Sequence, residues 1–186
     1  MKKEALVSII AALSLMSQSA MAEIGTVSCE NWEKGEYRVQ GYFNKGGKAA
    51  IEVLKPSKTV NDDDAYSYVG ESEVGDDGKF DSTFTLNGAS GEYLIRVGLG
   101  GQVFEKKFTF INKVEYDVYK KMLKDASTWD DIRIAFEKDY GKLKAMCNLS
   151  VDAEDKERVY KTIKEAVAKA DIETPEKLKA IIAEVV

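Results

Sequence analysis

The sequence predicts an antiparallel β-sandwich followed by a small α-helical domain, and three observations predict it. Phe80, Ser82, Phe84 and Leu86 alternate with Asp81, Thr83 and Thr85, and Tyr93, Ile95 and Val97 resume the alternation after a turn rich in Asn, Gly and Ser. Period-2 patterning on both sides of such a turn means an antiparallel pair with one buried face. Runs of the same kind recur between residues 25 and 111, about seven of them at short spacing. From Asn112 the apolar period switches from 2 to 3.6, which marks helices.

Residues 1–22 are expected to be a removable export leader: Lys2 and Lys3, an apolar core from Ala5 to Met16, then the small-x-small pattern Ala20-Met21-Ala22. The core is too short for a permanent membrane span, and no later apolar run reaches membrane length. The mature chain is therefore expected to be secreted without stable membrane insertion, with association at the cell surface left open.

A short first strand is expected near Thr26-Val27-Ser28. The second has Tyr37, Val39 and Phe43 alternating with Arg38, Gln40 and Tyr42, and the third has Ile51 and Val53 around Glu52. The fourth runs from Tyr66 to about Val74, the fifth over Phe80–Leu86 and the sixth over Tyr93–Val97. The seventh has Phe104, Phe108 and Phe110 alternating with Glu105, Lys107 and Thr109. Turns at 44–47, 61–64, 76–78 and 98–101 separate them. Count, spacing and half-apolar faces favour an immunoglobulin-like sandwich over a barrel for residues 24–111.

Four short helices are expected over 112–186. In the first, Val114, Val118 and Met122 form the stripe, with Tyr119 and Leu123 beside it. Thr128 caps the second, which has Asp130 and Asp131 in its first turn and Trp129, Ile132, Phe136 and Tyr140 at helical spacing. The third, from about Ala153 to Ala170, uses Val159, Ile163, Ala166 and Val167. The fourth opens with Thr174 as cap and Pro175 in the first turn, and shows Leu178, Ile181, Ile182 and Val185 to the core.

The stretch Gly75-Asp-Asp-Gly-Lys-Phe-Asp-Ser-Thr-Phe-Thr-Leu86, followed by Ser90-Gly-Glu-Tyr-Leu-Ile-Arg-Val-Gly98, resembles the immunoglobulin-like modules of secreted and cell-surface bacterial proteins, particularly those of clostridial relatives. Val39–Tyr42 and Ile51–Leu54 fit the same layout. The helical start at Asn112 and the Ala126-Ser-Thr-Trp129 stretch are similar to the short helical segments that follow such modules. The resemblance implies adhesion, cell-wall association or a spacer role, and supplies no catalytic residues.

The chain has no histidine, which removes Ser–His and Cys–His nucleophilic systems and nearly all zinc sites. No carboxylate pair stands out among its acids, so it is expected not to be an enzyme and to need no cofactor. With 27 Lys and Arg against 32 Asp and Glu, the mildly acidic, mixed-sign surface argues against nucleic acid and anionic lipid. The function expected is a secreted interaction or adhesion module whose partner is an extracellular protein or a cell-wall polymer. The alternative is a carbohydrate-binding module in polysaccharide use.

Trp32, Tyr42, Tyr66 and Tyr68 are the aromatics that could stack on sugar rings, with Tyr42 foremost because it is out of phase with Val39 and Phe43. Core or cross-strand packing is the commoner fate of strand aromatics. Asn61–Asp64 and Asp76–Gly78 offer oxygen ligands but lack the alternating spacing of a calcium loop, so they read as solvated turns and no metal is expected. Gly98–Gly101 lacks the Lys-Ser/Thr of a phosphate loop and reads as a hairpin turn. The two cysteines, Cys29 and Cys147, could be bridged in an oxidising compartment. The loop so closed would contribute ~4–5 kcal/mol in the chain-entropy model; the alternative is two separate buried thiols.

Overall fold

The computed structural model describes residues 23–186, apart from the Tyr140 side chain, so the leader expected over 1–22 lies outside the described residues. The chain divides into two compact units, one of residues 23–88 with 92–110, the other of 89–91 with 111–186.

The first unit holds seven antiparallel strands: β1 (Glu23–Asn31), β2 (Glu36–Tyr42), β3 (Gly47–Leu54), β4 (Tyr66–Val74), β5 (Lys79–Thr85), β6 (Gly91–Leu99) and β7 (Gln102–Phe110). A 3-10 turn, Trp32–Lys34, joins β1 to β2. The strands form one sheet in the order β1-β2-β5-β4-β3-β6-β7, where the sequence leads one to expect two. The sheet bends until its ends approach, and Lys106 Nζ of β7 donates to the Gly25 carbonyl of β1 at 2.8 Å. It is therefore nearly barrel-shaped.

The two halves of this sheet join at the β4–β5 hairpin, where Val74 stands opposite Phe80. Its turn is closed by Gly78 N–H donating to the Gly75 carbonyl at 2.8 Å. Gly78 has φ 82°, and a Cβ there would lie 1.9 Å from the Phe43 carbonyl oxygen. Only glycine supplies that backbone without strain and allows that approach.

Inside, alternate residues of each strand meet: Tyr37 and Val39, Ile51 and Val53, Phe80 and Phe84, Tyr93, Ile95 and Val97 are all buried. Rings tie both neighbouring and facing strands together. Tyr37 packs on Phe108 at 5.2 Å and stacks on Phe84 at 5.9 Å, while Phe43 meets Phe104 at 5.2 Å. The Tyr37 hydroxyl also donates to the Thr109 carbonyl at 3.2 Å, so the one polar atom of a buried ring is satisfied.

The second unit holds four helices: α1 (Lys113–Asp125), α2 (Trp129–Met146), α3 (Lys156–Lys169) and α4 (Pro175–Val185). Thr128 and Asp131 form a reciprocal cap on α2: Thr128 Oγ1 accepts from Asp131 N–H at 3.2 Å, and Asp131 Oδ2 accepts from Thr128 N–H at 2.7 Å. Thr174 caps α4 with Pro175 in its first turn.

The stripe expected for the first helix is corrected. Tyr116, Tyr119 and Leu123 are its buried face, whereas Val114 and Val118 are 73% and 47% exposed. The face was decided by a polar anchor that hydrophobic spacing does not register. The buried Tyr116 hydroxyl lies 2.9 Å from both the Ile172 and the Thr174 carbonyls, fixing α1 against the entry to α4.

Residues 89–91 belong to this helical unit through specific bonds. Ser90 Oγ accepts from Asn112 N–H at 2.8 Å, and Glu115 Oε2 accepts from Ser90 N–H at 3.0 Å. Asn112 in turn caps α1 by accepting from Val114 and Glu115 N–H. Ser90→Ala is expected to cost about 1 kcal/mol, since it leaves the partly buried Asn112 N–H without that acceptor. Urea unfolding of the full chain measures it, and an unchanged midpoint would show that the bond contributes nothing.

Candidate binding face

Period-2 alternation puts Arg38, Gln40 and Tyr42 of β2 on the face opposite the core, and the pairing register sets them beside β1 and β5. Tyr42 stands between Glu23 and Lys79, Gln40 between Thr26 and Asp81, and Arg38 between Ser28 and Thr83. A polar ladder crosses the three strands. Arg38 Nε donates to Asp81 Oδ1 at 2.7 Å, and its Nη2 bonds Asp81 Oδ2, a two-pronged guanidinium–carboxylate pair. Gln40 Nε2 donates to Asp81 Oδ2 at 2.8 Å, and Thr26 Oγ1 donates to Gln40 Oε1 at 3.4 Å. The ladder ends at Tyr42, whose ring is 49% exposed.

Electrostatics leave the Arg38–Asp81 pair of this face without acid–base capacity. The hydrogen bond from Arg38 holds the Asp81 carboxyl below the usual range, and the same pair raises Arg38. Asp81 stays ionised and Arg38 stays charged, so neither has a proton to exchange near neutrality. The face carries an array of mutually paired donors and acceptors with one aromatic ring at its edge.

The four aromatics expected at a sugar platform are dispersed. Tyr42 ends β2, while Trp32, half-buried in the 3-10 turn, lies beyond the other end of that seven-residue strand, roughly 20 Å away at extended rise. Tyr68 faces inward, opposite Val53, with its ring 5.5 Å from Phe84. Tyr66 is turned to the outer face by a register shift between Val53 and Leu54, and its hydroxyl donates to the Val60 carbonyl at 3.4 Å. Strict alternation would have kept Tyr66 and Tyr68 together; the bulge separates them.

The acidic turns are occupied by their own neighbours. Asp62 Oδ2 accepts from Thr59 N–H and Oγ1, Asp64 pairs with Lys58 at 2.7 Å, and Asp77 pairs with Lys79 at 2.9 Å. Among the described residues, no three potential ligands of the His, Cys, Asp and Glu types cluster to hold a metal. Nor is any described helix long and apolar enough to cross a membrane.

Cys29 is an exposed residue of β1, and Cys147 is a buried thiol at the end of α2, in the other unit. Cys147 borders a cleft of about 340 Å³ together with Leu149, Lys179 and Ile182. Burial pushes its thiol up to about 12, against the pull of Lys179, so it stays protonated and unreactive.

A buried charged pair that alternation alone does not single out lies at the centre of the sheet's other half. Glu52 of β3 and Arg96 of β6 stand directly opposite each other, and Arg96 Nη1 donates to Glu52 Oε2 at 3.0 Å. The signal was present, since each is a charged residue in the middle of a strongly apolar strand.

No family model matches the chain, and no curated protein matches it in sequence.

Proposed function

We propose that the protein is an exported, non-enzymatic interaction module of the immunoglobulin-like type, binding an extracellular protein or a cell-envelope component. The runs β1-β2-β5-β4 and β3-β6-β7 have the order of strands A-B-E-D and C-F-G in immunoglobulin sandwiches, which supports the finer reading of the curved sheet. The observation that carries the function is the face of β1, β2 and β5, where a fixed polar ladder ends in the exposed ring of Tyr42. Such a surface recognises polar partners by shape and hydrogen bonding. The chain has no histidine and its ladder carboxylate is held by a guanidinium, which supports the non-enzymatic reading.

A carbohydrate is the second reading, favoured by the placement of Tyr42 beside the Gln40–Asp81 pair, an aromatic edge next to paired donors and acceptors. Pull-down of residues 23–186 against cell walls, soluble polysaccharides and secreted proteins of the host separates the two. Retention by a protein or by whole walls is expected, with Tyr42→Ala and Arg38→Ala each weakening it about tenfold, the equivalent of ~1.4 kcal/mol. Retention by purified glycan alone selects the second reading. Turnover of a peptide or polysaccharide, lost on changing one acidic residue, would overturn both.

A further inference from the structure

The Glu52 side chain is fully inaccessible. It lies between Val69 of β4 and Arg96 of β6 in the sheet register. Its Oε2 accepts from Arg96, while Oε1 is buried without a hydrogen-bond partner among the described residues. Arg96 is shared, since its Nε donates to Glu105 Oε1 of β7 at 2.8 Å. Glu105 keeps 53% of its side chain in contact with solvent.

One guanidinium thus serves two carboxylates, and only one of these has water to stabilise its charge. The remaining groups on this face do not relieve Glu52. Lys48 pairs with Glu73, and Lys107 pairs with Glu92. Glu71 of β4 stands opposite Ala50, two residues along β3, and supplies no positive charge. Tyr66, also from β4, feels both Glu52 and Arg96.

A buried carboxylate with one oxygen unsatisfied is costly, and a proton removes the charge that makes it so. We propose that Glu52 is a proton-uptake site of the folded protein, which makes the β unit more stable in mildly acidic surroundings than in alkaline ones. In line with this, burial pushes the Glu52 carboxyl up to about 7, against the opposing pull of Arg96. The folded value exceeds the ordinary 4.5, so the folded chain binds more protons than the unfolded chain between the two. The contribution is complete below the unfolded value and is lost as pH rises through about 7.

The composition isolates this signal. With no histidine in the chain, no unperturbed side chain titrates between pH 5 and 8. Carboxyls such as Asp62, Asp64 and Asp81 are held below their ordinary values, and their opposite contribution is lost only as pH falls below about 4.

Urea unfolding of the full chain at intervals from pH 5 to 8 tests the proposal. The unfolding constant is expected to rise with pH, approaching tenfold per unit in the middle of the window, the slope of one linked proton. Glu52→Gln is expected to remove that slope. A flat wild-type profile, or a Glu52→Gln protein that keeps the slope, would overturn the proposal. Should the variant not fold, a carboxyl-carbon NMR titration of the wild-type chain decides: one glutamate with a midpoint near neutrality supports it, and all glutamates titrating below pH 5 reject it.

Discussion

Replacing Arg96 with Met is expected to destabilise the protein by about 3–5 kcal/mol at pH 8, the range for removing one partner of a buried ion pair. The loss follows from the charge left behind: Glu52 has no exposed surface and no second donor for Oε1 among the described residues. Arg96 is also the cause that pulls the Glu52 carboxyl down, so its removal drives that group further up and makes protonation easier. The cost is therefore expected to shrink to less than about half at pH 5.5. The double variant Glu52→Gln with Arg96→Met is expected to recover most of the loss at pH 8. Chemical unfolding at both pH values measures this, and an equal loss at the two would mean that Arg96 matters through packing alone.

Phe136→Ala is expected to cost about 3–5 kcal/mol, the usual range for emptying a buried aromatic site. Phe136 is wholly buried in α2, with its ring 6.0 Å from that of Tyr160 in α3. Ile132, one turn earlier, and Ile163 of α3 are wholly buried too. Ile134 in the same helix is 46% exposed, and Ile134→Ala is expected to stay within about 0.5 kcal/mol as an ordinary surface change. Urea unfolding followed by circular dichroism compares them. Similar losses for the two variants would show that the α2–α3 core is not packed as described.

Much of the architecture was legible because burial on one face imposes a period on the chain. Phe80, Ser82, Phe84 and Leu86, or Tyr93, Ile95 and Val97, repeat at period 2 and so share one face in a strand and not in a helix, and Thr174-Pro175 is a helix-start signal. The failures share a cause in contacts distant along the chain. The buried face of α1 was settled by the Tyr116 hydroxyl reaching carbonyls at 172 and 174, 56 and 58 residues away. The split between Tyr66 and Tyr68 came from a bulge whose partner lies in β3. The joining of the strands into one curved sheet rests on the β4–β5 hairpin, a feature of pairing that alternation leaves open.

At the candidate face, Tyr42 was readable from phase alone. The ladder beside it was not, because Arg38 and Asp81 are 43 residues apart in sequence and meet only through register. The same holds for Glu52 and Arg96, 44 apart. A charged residue inside an apolar strand announces that it must find a partner, but not which one.

The bonds of Ser90 to Asn112 and Glu115 have a consequence for dissecting the molecule. Since residues 89–91 group with the helices while 88 and 92 group with the strands, the polypeptide passes between the units three times. A gene fragment ending at 110 would carry the 89–91 turn away from the residues that order it. A fragment starting at 111 would lack the hydroxyl that receives the Asn112 amide. The two units are interleaved along the gene, so no single cut separates all the residues of one from all those of the other.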